Sequence, residues 1–427
     1  MRKTVFMVVA MCLLVILPAA AEGARETGQK VTLSFLIDNQ SSLDGIKAVI
    51  AAAEKKLNIA IEIDLRPGGA EGDNVVKTRL ATGDMDDLSF YNSGSLFQAL
   101  NPSQNFVDLT NESYMATVLD SFKSTVSVNG RVYGIPAEAA MGGGWLYNKK
   151  VYAELGLKVP TTWAELLANC DKIKAAGKIA VIGSYKDDWT SQLIVLADYF
   201  NVQAKYPKFA ADYTAHKASY SGTPIALRSF EKLQEIFKKG YMNKDHLATT
   251  YDQALKMLAD GTGAHYPMLT FALANLKAIA PDKVNDIGFF GQPGDTPGSN
   301  GVTVWMPAGI YVYKNGKNVD AARKWVAFFV SKEGIASYFE KQRPSGPLAI
   351  KGVALPDDVL PAVKDMLPYF DAGKTAPALE FLSPIKGPNL PQLCVEVGSG
   401  IKAPVDGAKE YDKDVEKQAK QLGLPGW

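Results

Sequence analysis

Residues 31–91 alternate between two hydrophobic periods, and that alternation restricts the chain more than any other feature. Val31-Thr32-Leu33-Ser34-Phe35-Leu36-Ile37 is an apolar run of strand length. Residues 43–57 then place Ile46, Val49, Ile50, Ala53 and Leu57 on one helical face. A second strand at 59–65, a short helix at 75–81 closed by Gly83, and a third strand at 88–91 follow. Strand, helix, strand, helix, strand predicts a parallel sheet with right-handed crossovers, whose strand C-termini share one edge. Ligands bind at such an edge. The residues leaving it are Asp38, Asn39 and Gln40, then Arg66-Pro67-Gly68-Gly69, then Tyr91, Asn92 and Ser93.

A second unit begins near Gly134-Ile135-Pro136. Thr162 followed by Glu165 is a capping box, and Trp163, Leu166, Leu167, Cys170 and Ile173 line the helix it opens, which runs to Gly177. Its position on that face makes Cys170 a small buried hydrophobe rather than a nucleophile. Residues 179–182, 264–271, 287–290 and 309–313 read as strands, and 319–330 as a helix with Ala322, Val326, Phe329 and Val330 on one side. Trp163 and Trp325 fall within these periodic helices and are assigned to packing. Tyr411, Val415, Ala419 and Leu422 form a stripe among charges, the pattern of a docked surface helix. Gly142-Gly143-Gly144 lacks the Lys-Ser/Thr of a phosphate loop, so close backbone approach at a hinge is the expectation.

The chain opens with Arg2 and Lys3, an apolar run at 5–17, Pro18 and Ala19-Ala20-Ala21. The run falls short of the roughly 20 residues a membrane helix needs. Its order of charge, apolar run and small residues is that of a secretory signal peptide, with cleavage expected after Ala21. Cys12 lies inside the run rather than at a lipobox, so no lipid anchor is expected. The 46 basic and 45 acidic side chains balance to +1, and losing Arg2 and Lys3 leaves the mature chain near −1. A groove that tracks phosphates needs a clustered basic excess, so no nucleic-acid partner is expected.

Three cysteines and three separated histidines (His216, His246 and His265) support neither a disulfide scaffold nor a Cys-based zinc site. No metal and no cofactor are expected. Whether Cys170 and Cys394 pair is a matter of geometry, which sequence leaves open. G-x-S-x-G, H-E-x-x-H and G-x-G-x-x-G are absent, and the glycine that would make Gly373-Lys374-Thr375 a Walker loop is Pro368. A glycosidase needs only two suitably spaced carboxylates and is the enzymatic alternative.

Several segments carry a family resemblance. They are Leu80-Ala81-Thr82-Gly83-Asp84, Val107-Asp108-Leu109-Thr110, Asn129-Gly130-Arg131-Val132-Tyr133-Gly134-Ile135-Pro136 and Leu146-Tyr147-Asn148-Lys149-Lys150-Val151-Tyr152. Gly156-Leu157, Pro160-Thr161-Thr162-Trp163-Ala164-Glu165-Leu166-Leu167 and Lys172-Ile173-Lys174-Ala175-Ala176-Gly177 continue the pattern. In order and spacing the chain resembles the extracellular solute-binding proteins of ABC transporters, carbohydrate type (family 1). The usual proline of the family's G-D-x-P-D turn is replaced in Gly83-Asp84-Met85-Asp86-Asp87. The resemblance implies an α/β, two-lobe periplasmic-binding-protein fold (class II-like). Each lobe would be a mainly parallel sheet flanked by helices, with ligand in the interlobe cleft. On that expectation residues 30–137 plus 265–310 form the N-terminal lobe and 138–264 plus 311–427 the C-terminal lobe, after the leader at 1–21. It further implies a periplasmic monomer, not an enzyme, that captures a small carbohydrate and delivers it by hinge closure to the membrane permease subunits of an ABC importer.

A sugar presents hydroxyls that donate and accept, and C–H faces that rest on aromatic rings. By that chemistry the first lobe offers Asp38, Asn39, Gln40, Tyr91 and Asn92, and the hinge and second lobe offer Glu138, Trp145, Asp187, Asp188 and Trp189. Tyr266, Phe271 and Trp305 come from returning strands, and Arg343 lies where members of the resembled family bring a loop to the cleft. Trp189 and Trp305 stand beside polar residues rather than on a helix face, which points them to stacking. Carboxylates beside aromatic walls also suit a polyamine, so a cationic or other small solute is the alternative ligand, ahead of a secreted glycoside hydrolase.

Overall fold

In the computed structural model, which describes residues 30–427, strand Val31–Asp38 pairs in parallel with Ile59–Arg66 along its whole length. Leu88–Tyr91 joins its other side, also parallel, as the alternation implies. The expected leader at 1–21 lies outside the described residues. Helices Asp44–Leu57 and Gly69–Thr82 make the two crossovers, and each stops at a left-handed residue, Asn58 and Gly83, whose N–H turns back onto the Glu54 and Arg79 carbonyls. Gly309–Val312 then pairs antiparallel with Leu88–Tyr91, and Gly134–Pro136 antiparallel with Gly309–Val312. The reversal has a simple cause. Gly309 stands opposite both Tyr91 and Pro136, so the chain leaves and re-enters this sheet at the edge where the parallel strands end.

The second sheet runs in the order Thr375–Pro377, Val302–Trp305, Met141–Asn148, Gly263–Leu269, Ile179–Val181, with Ile287–Gly291 also paired to Met141–Asn148; that central strand is antiparallel to all three of its partners, so this sheet is not the mainly parallel one expected. Met141–Asn148 is buried at every position. Its three glycines lie within this strand rather than at a hinge. A β-carbon on Gly143 would stand 2.3 Å from Trp305 Cζ3, so the missing side chain is what lets that indole lie across the strand.

Sheet membership revises the expected division into lobes. Residues 263–269, 287–291 and 302–305 belong to the second sheet, not the first, because Gly263–Leu269 pairs with Met141–Asn148 from Gly143 opposite Leu269 to Tyr147 opposite His265. Conversely, helices Val319–Phe329 and Lys332–Lys341 pack on the first lobe, where Trp325 meets Phe35 edge-on at 5.5 Å between ring centroids. The N-terminal lobe is therefore built from residues 30–137 with 309–350, and the second lobe from 141–305 with 361–427. Strand periodicity is the same in either sheet, so it marks these strands without assigning them.

Two local expectations hold, the capping box at Thr162 and the docked C-terminal helix. Thr162 and Glu165 form the reciprocal capping box, and Trp163 is buried. The C-terminal helix Pro404–Gln421 seats Ala408, Tyr411, Val415 and Ala419 in the second lobe's core. Cys170 and Cys394 are both free and buried, and burial pushes both thiols up. Among the described residues no helix is long and apolar enough to cross a membrane, and no group of three His, Cys, Asp or Glu is placed to hold a metal ion.

His265 is fully buried in the second lobe, with Nδ1 2.8 Å from the Ala180 carbonyl oxygen and Nε2 2.6 Å from the Tyr152 hydroxyl. A carbonyl only accepts, so the network assigns the proton to Nδ1. Burial lowers the imidazole from 6.5 to about 4. Between those values the unfolded chain binds more protons than the folded one. Stability is thus retained above pH 6.5 and lost as pH falls through about 4. The thermal midpoint of the wild type is expected to drop more steeply between pH 6.5 and 4 than that of His265→Asn, with up to about 3 kcal/mol at stake. Parallel midpoint-against-pH curves for the two proteins would refute this assignment.

Candidate functional site

Three stretches of chain cross between the lobes, and they bond to one another. Residues 137–140 and 306–308 run side by side, with Ala137 N–H donating to the Ala308 carbonyl at 3.0 Å. The third crossing passes beside the first, where Ala140 N–H donates to the Pro347 carbonyl at 2.7 Å and Ala139 bridges Leu348. All three lie at the edge where the strands of the first sheet end, so residues leaving those strands face their counterparts on the second sheet.

Between the two edges is a cavity of about 240 Å³. From the first lobe Asp38, Gln40, Arg66, Asp73 and Asn92 line it; from the crossings comes Glu138; from the second lobe come Trp189, Phe271, Trp305 and the segment bearing Glu380, Phe381 and Lys386. Trp189, Phe271 and Tyr251 form an aromatic group, with Trp189 at 5.3 Å from Tyr251 and 5.9 Å from Phe271. Trp305, Met141 and Ala378 form a second apolar cluster, bordered by Leu269, Phe271 and Phe381.

The polar groups are held in distinct ways. Asp38 accepts from Gln40 N–H at 3.1 Å and from Ser41 Oγ at 2.7 Å. Glu380 is paired with Lys386 and accepts from Trp305 Nε1 at 2.8 Å, which fixes the indole edge. Glu138 has no hydrogen-bond or ion-pair partner among the described residues. Burial, reinforced by the neighbouring Asp38 charge, pushes its carboxyl from 4.5 up to about 8. Burial also pushes Asp73 up, against the pull of the Tyr91 hydroxyl and the Arg66 and Lys77 charges. Glu138 is therefore a largely neutral acid near pH 7, able both to donate and to accept a hydrogen bond.

Of the residues singled out from sequence, the cavity gathers Asp38, Gln40, Asn92, Glu138, Trp189, Phe271 and Trp305. Asp187 and Asp188 stand just outside its lining. Asp187 accepts from Gln40 Nε2 at 2.7 Å across the cleft and from Tyr251 N–H at 2.7 Å, so it caps helix Tyr251–Asp260 and ties the lobes at once. Asp188 lies beside Gly69 of the opposite lobe, and burial pushes its carboxyl up.

The remaining five are placed elsewhere. Asn39 is exposed and outside the lining, in the turn that follows strand Val31–Asp38. Tyr91 is wholly buried beneath the cleft, with the Arg66 guanidinium over its ring at 5.4 Å. Trp145 is core: it stacks on Phe290, and its Nε1 donates to Gln292 at 2.6 Å. Gln292 in turn reaches Asp198, the partner of Lys232 in a fully buried ion pair at 2.6 Å. Tyr266 is buried with its hydroxyl 2.7 Å from Ser184 Oγ. Arg343 pairs with Asp358 at 2.8 Å, away from the cavity.

Sequence reasoning missed Asp73, Glu380, Phe381 and Lys386, and it marked Arg66 only as a residue leaving a strand. Asp73 lies one turn into a helix that starts at Gly69, earlier than its apolar periodicity begins. Glu380 and Lys386 follow a three-residue strand, Thr375–Pro377, too short to carry a period.

The sequence family described as bacterial extracellular solute-binding protein matches residues 39–336. The multiple sugar-binding protein of Streptococcus mutans serotype c is 25% identical over 341 residues, covering 78% of each chain. The melibiose/raffinose/stachyose-binding protein MelE of Bacillus subtilis (strain 168) is 22% identical over 386 residues, covering 87% of this chain and 88% of its own. Among solved structures, a chitin oligosaccharide binding protein superposes with a TM-score of 0.78 at 18% identity, covering 91% of this chain and all of that one. The solute-binding protein RafE in complex with raffinose gives 0.73 at 22% identity, covering 92% of this chain and 99% of that one. At these identities the structural likeness speaks for the two-lobe α/β fold. With the family matched over well more than half its length, the chain belongs to the bacterial extracellular solute-binding proteins.

Proposed function

We propose that this protein captures a small carbohydrate in the periplasm, without altering it chemically, and hands it to the permease subunits of an ABC importer when the lobes close. It works as a monomer, exported by its leader, with a sugar and the permease as partners and no nucleic acid. The observation that carries this reading is the pairing of aromatic faces with hydrogen-bonding groups of little free charge. Trp189, Phe271 and Trp305 offer flat apolar surfaces, while Glu380 is neutralised by Lys386 and Glu138 by its proton. Neighbouring hydroxyls of a sugar both donate and accept, and a protonated carboxyl matches that pattern. The sugar-binding relatives of similar length support the same class of ligand.

The acidic lining favours a second reading, a polyamine. It is the weaker one, since a cation needs carboxylates ionised and unpaired, and Arg66 and Lys77 also line the cavity. A thermal-shift screen separates the two, because a ligand that binds the folded state raises its midpoint with concentration. Sugars are expected to raise it and polyamines are not. The reverse result would replace the carbohydrate with a cation.

Two sets of variants sharpen the test. Glu138→Gln keeps a neutral group that donates and accepts, so sugar affinity is expected within about threefold of wild type, whereas Glu138→Ala should lose roughly tenfold or more, equivalent to one hydrogen bond. Calorimetric titration of both variants checks this, and equal losses would sink the neutral-acid role. In the empty protein the same carboxyl, raised to about 8, contributes stability that is full below pH 4.5 and lost as pH rises through about 8. The midpoint of Glu138→Gln should therefore decline less over that range.

Removing a stacked ring costs about 1 kcal/mol or more, roughly fivefold in affinity. Trp189→Ala and Trp305→Ala are each expected to weaken sugar binding by at least that factor. Affinities within threefold of wild type for both variants would remove stacking from the account.

A further inference from the structure

The loop Pro67-Gly68-Gly69 of the first lobe has no side chain where it meets the second. A β-carbon on Gly68 would stand 2.2 Å from Gln40 Oε1, and one on Gly69 would stand 3.1 Å from Asp188 Oδ1 and 3.5 Å from Trp189 Cδ1. The two glycines leave room for a junction, and Gln40 is its centre. Its own N–H is held in the first lobe, donating to Asp38 at 3.1 Å. Its side-chain amide and main-chain oxygen bond instead to the second lobe. Nε2 donates to Asp187 at 2.7 Å, Oε1 accepts from Trp189 Nε1 at 2.8 Å, and the main-chain oxygen accepts from Asn275 Nδ2 at 2.7 Å.

One buried residue of the second lobe, Tyr251, holds all three partners. Its N–H donates to Asp187 at 2.7 Å, its hydroxyl accepts from Asn275 Nδ2 at 3.2 Å, and its ring lies 5.3 Å from that of Trp189. The receiving surface is thus built within the second lobe, without help from Gln40. A neutral amide fits it, because one end must donate to a carboxylate and the other must accept from an indole N–H. All of these bonds join protein groups, and they exist only with the lobes together.

We propose that Gln40 and the socket around Tyr251 form a latch that favours the closed arrangement on its own account, so that Gln40 sets how tightly any solute is held without selecting among solutes. Apparent affinity scales with the fraction of molecules in the competent state, and bonds made only in that state raise the fraction. Trp189 keeps its packing on Tyr251 and Phe271 without Gln40, so its stacking face outlasts the latch. The latch acts alike whether the solute is a sugar or a polyamine.

Small-angle X-ray scattering of the ligand-free protein reads the separation of the lobes. Gln40→Ala, and Gln40→Glu, which sets two carboxylates face to face, are both expected to give a larger radius of gyration than the wild type. Adding Asp187→Asn to Gln40→Glu exchanges donor and acceptor across the gap. The new amide still accepts from Tyr251 N–H and donates to the new carboxylate, which accepts from Trp189, so the double variant should return to the wild-type radius. Superimposable curves for wild type and Gln40→Ala, or a double variant no more compact than Gln40→Glu alone, would overturn the latch. In calorimetric titrations with melibiose, raffinose and spermidine, whichever binds the wild type should bind Gln40→Ala at least about fivefold more weakly, by the same factor for each to within about twofold. Losses that differ by about tenfold between solutes would make Gln40 a ligand contact and overturn the latch, whichever class of solute binds.

Discussion

The three crossings between the lobes satisfy one another. Ala137 bonds to Ala308 and Ala140 to Pro347, so the backbone groups that leave each sheet find partners in a neighbouring crossing and not in either core. Rotation about such a bundle leaves both hydrogen-bonded ladders intact. It also fixes where chemistry can occur. Pro136 and Gly309 stand at the edge where Tyr91 ends, so side chains at strand ends are delivered to the gap without long loops to order.

The polar lining of the gap follows from the same burial. A carboxylate shut away from water must be paired, hydrogen-bonded or protonated. Glu380 takes the first course with Lys386, Asp38 the second with Gln40 and Ser41, and Glu138 the third. The outcome is a concave surface rich in directional hydrogen bonds with little net charge. Aromatic rings occupy what remains because Gly143 leaves room for Trp305, and Gln40 reaches across to hold Trp189 by its ring nitrogen.

How much of this was legible in the sequence depends on the range of the interaction involved. Periodicity and capping are local, so the strands at 31–38, 59–66 and 88–91, the capping box at Thr162 and the buried face with Cys170 could all be read. The rule that ligands meet the ends of parallel strands pointed to Asp38 and Gln40, and polar neighbours off any helix face pointed to Trp189 and Trp305, all four of which line the cavity. Sheet membership is non-local, so the strand at 263–269 was assigned to the wrong lobe. Trp145 and Tyr266 failed for a related reason. Each ring has a polar tip that suits a ligand equally well, and only the fold reveals that Gln292 and Ser184 already satisfy it.

The two buried cysteines bear on how such a chain survives outside the cytoplasm, where thiols are oxidised. In the native state Cys170 and Cys394 are hidden in one core, and burial keeps them as thiols, poor nucleophiles toward oxidants or mixed disulfides. The unfolded chain has no such protection. Maturation is thereby a race in which core formation must outpace oxidation, and a destabilised variant would be withdrawn from the folded pool by chemistry as well as by unfolding.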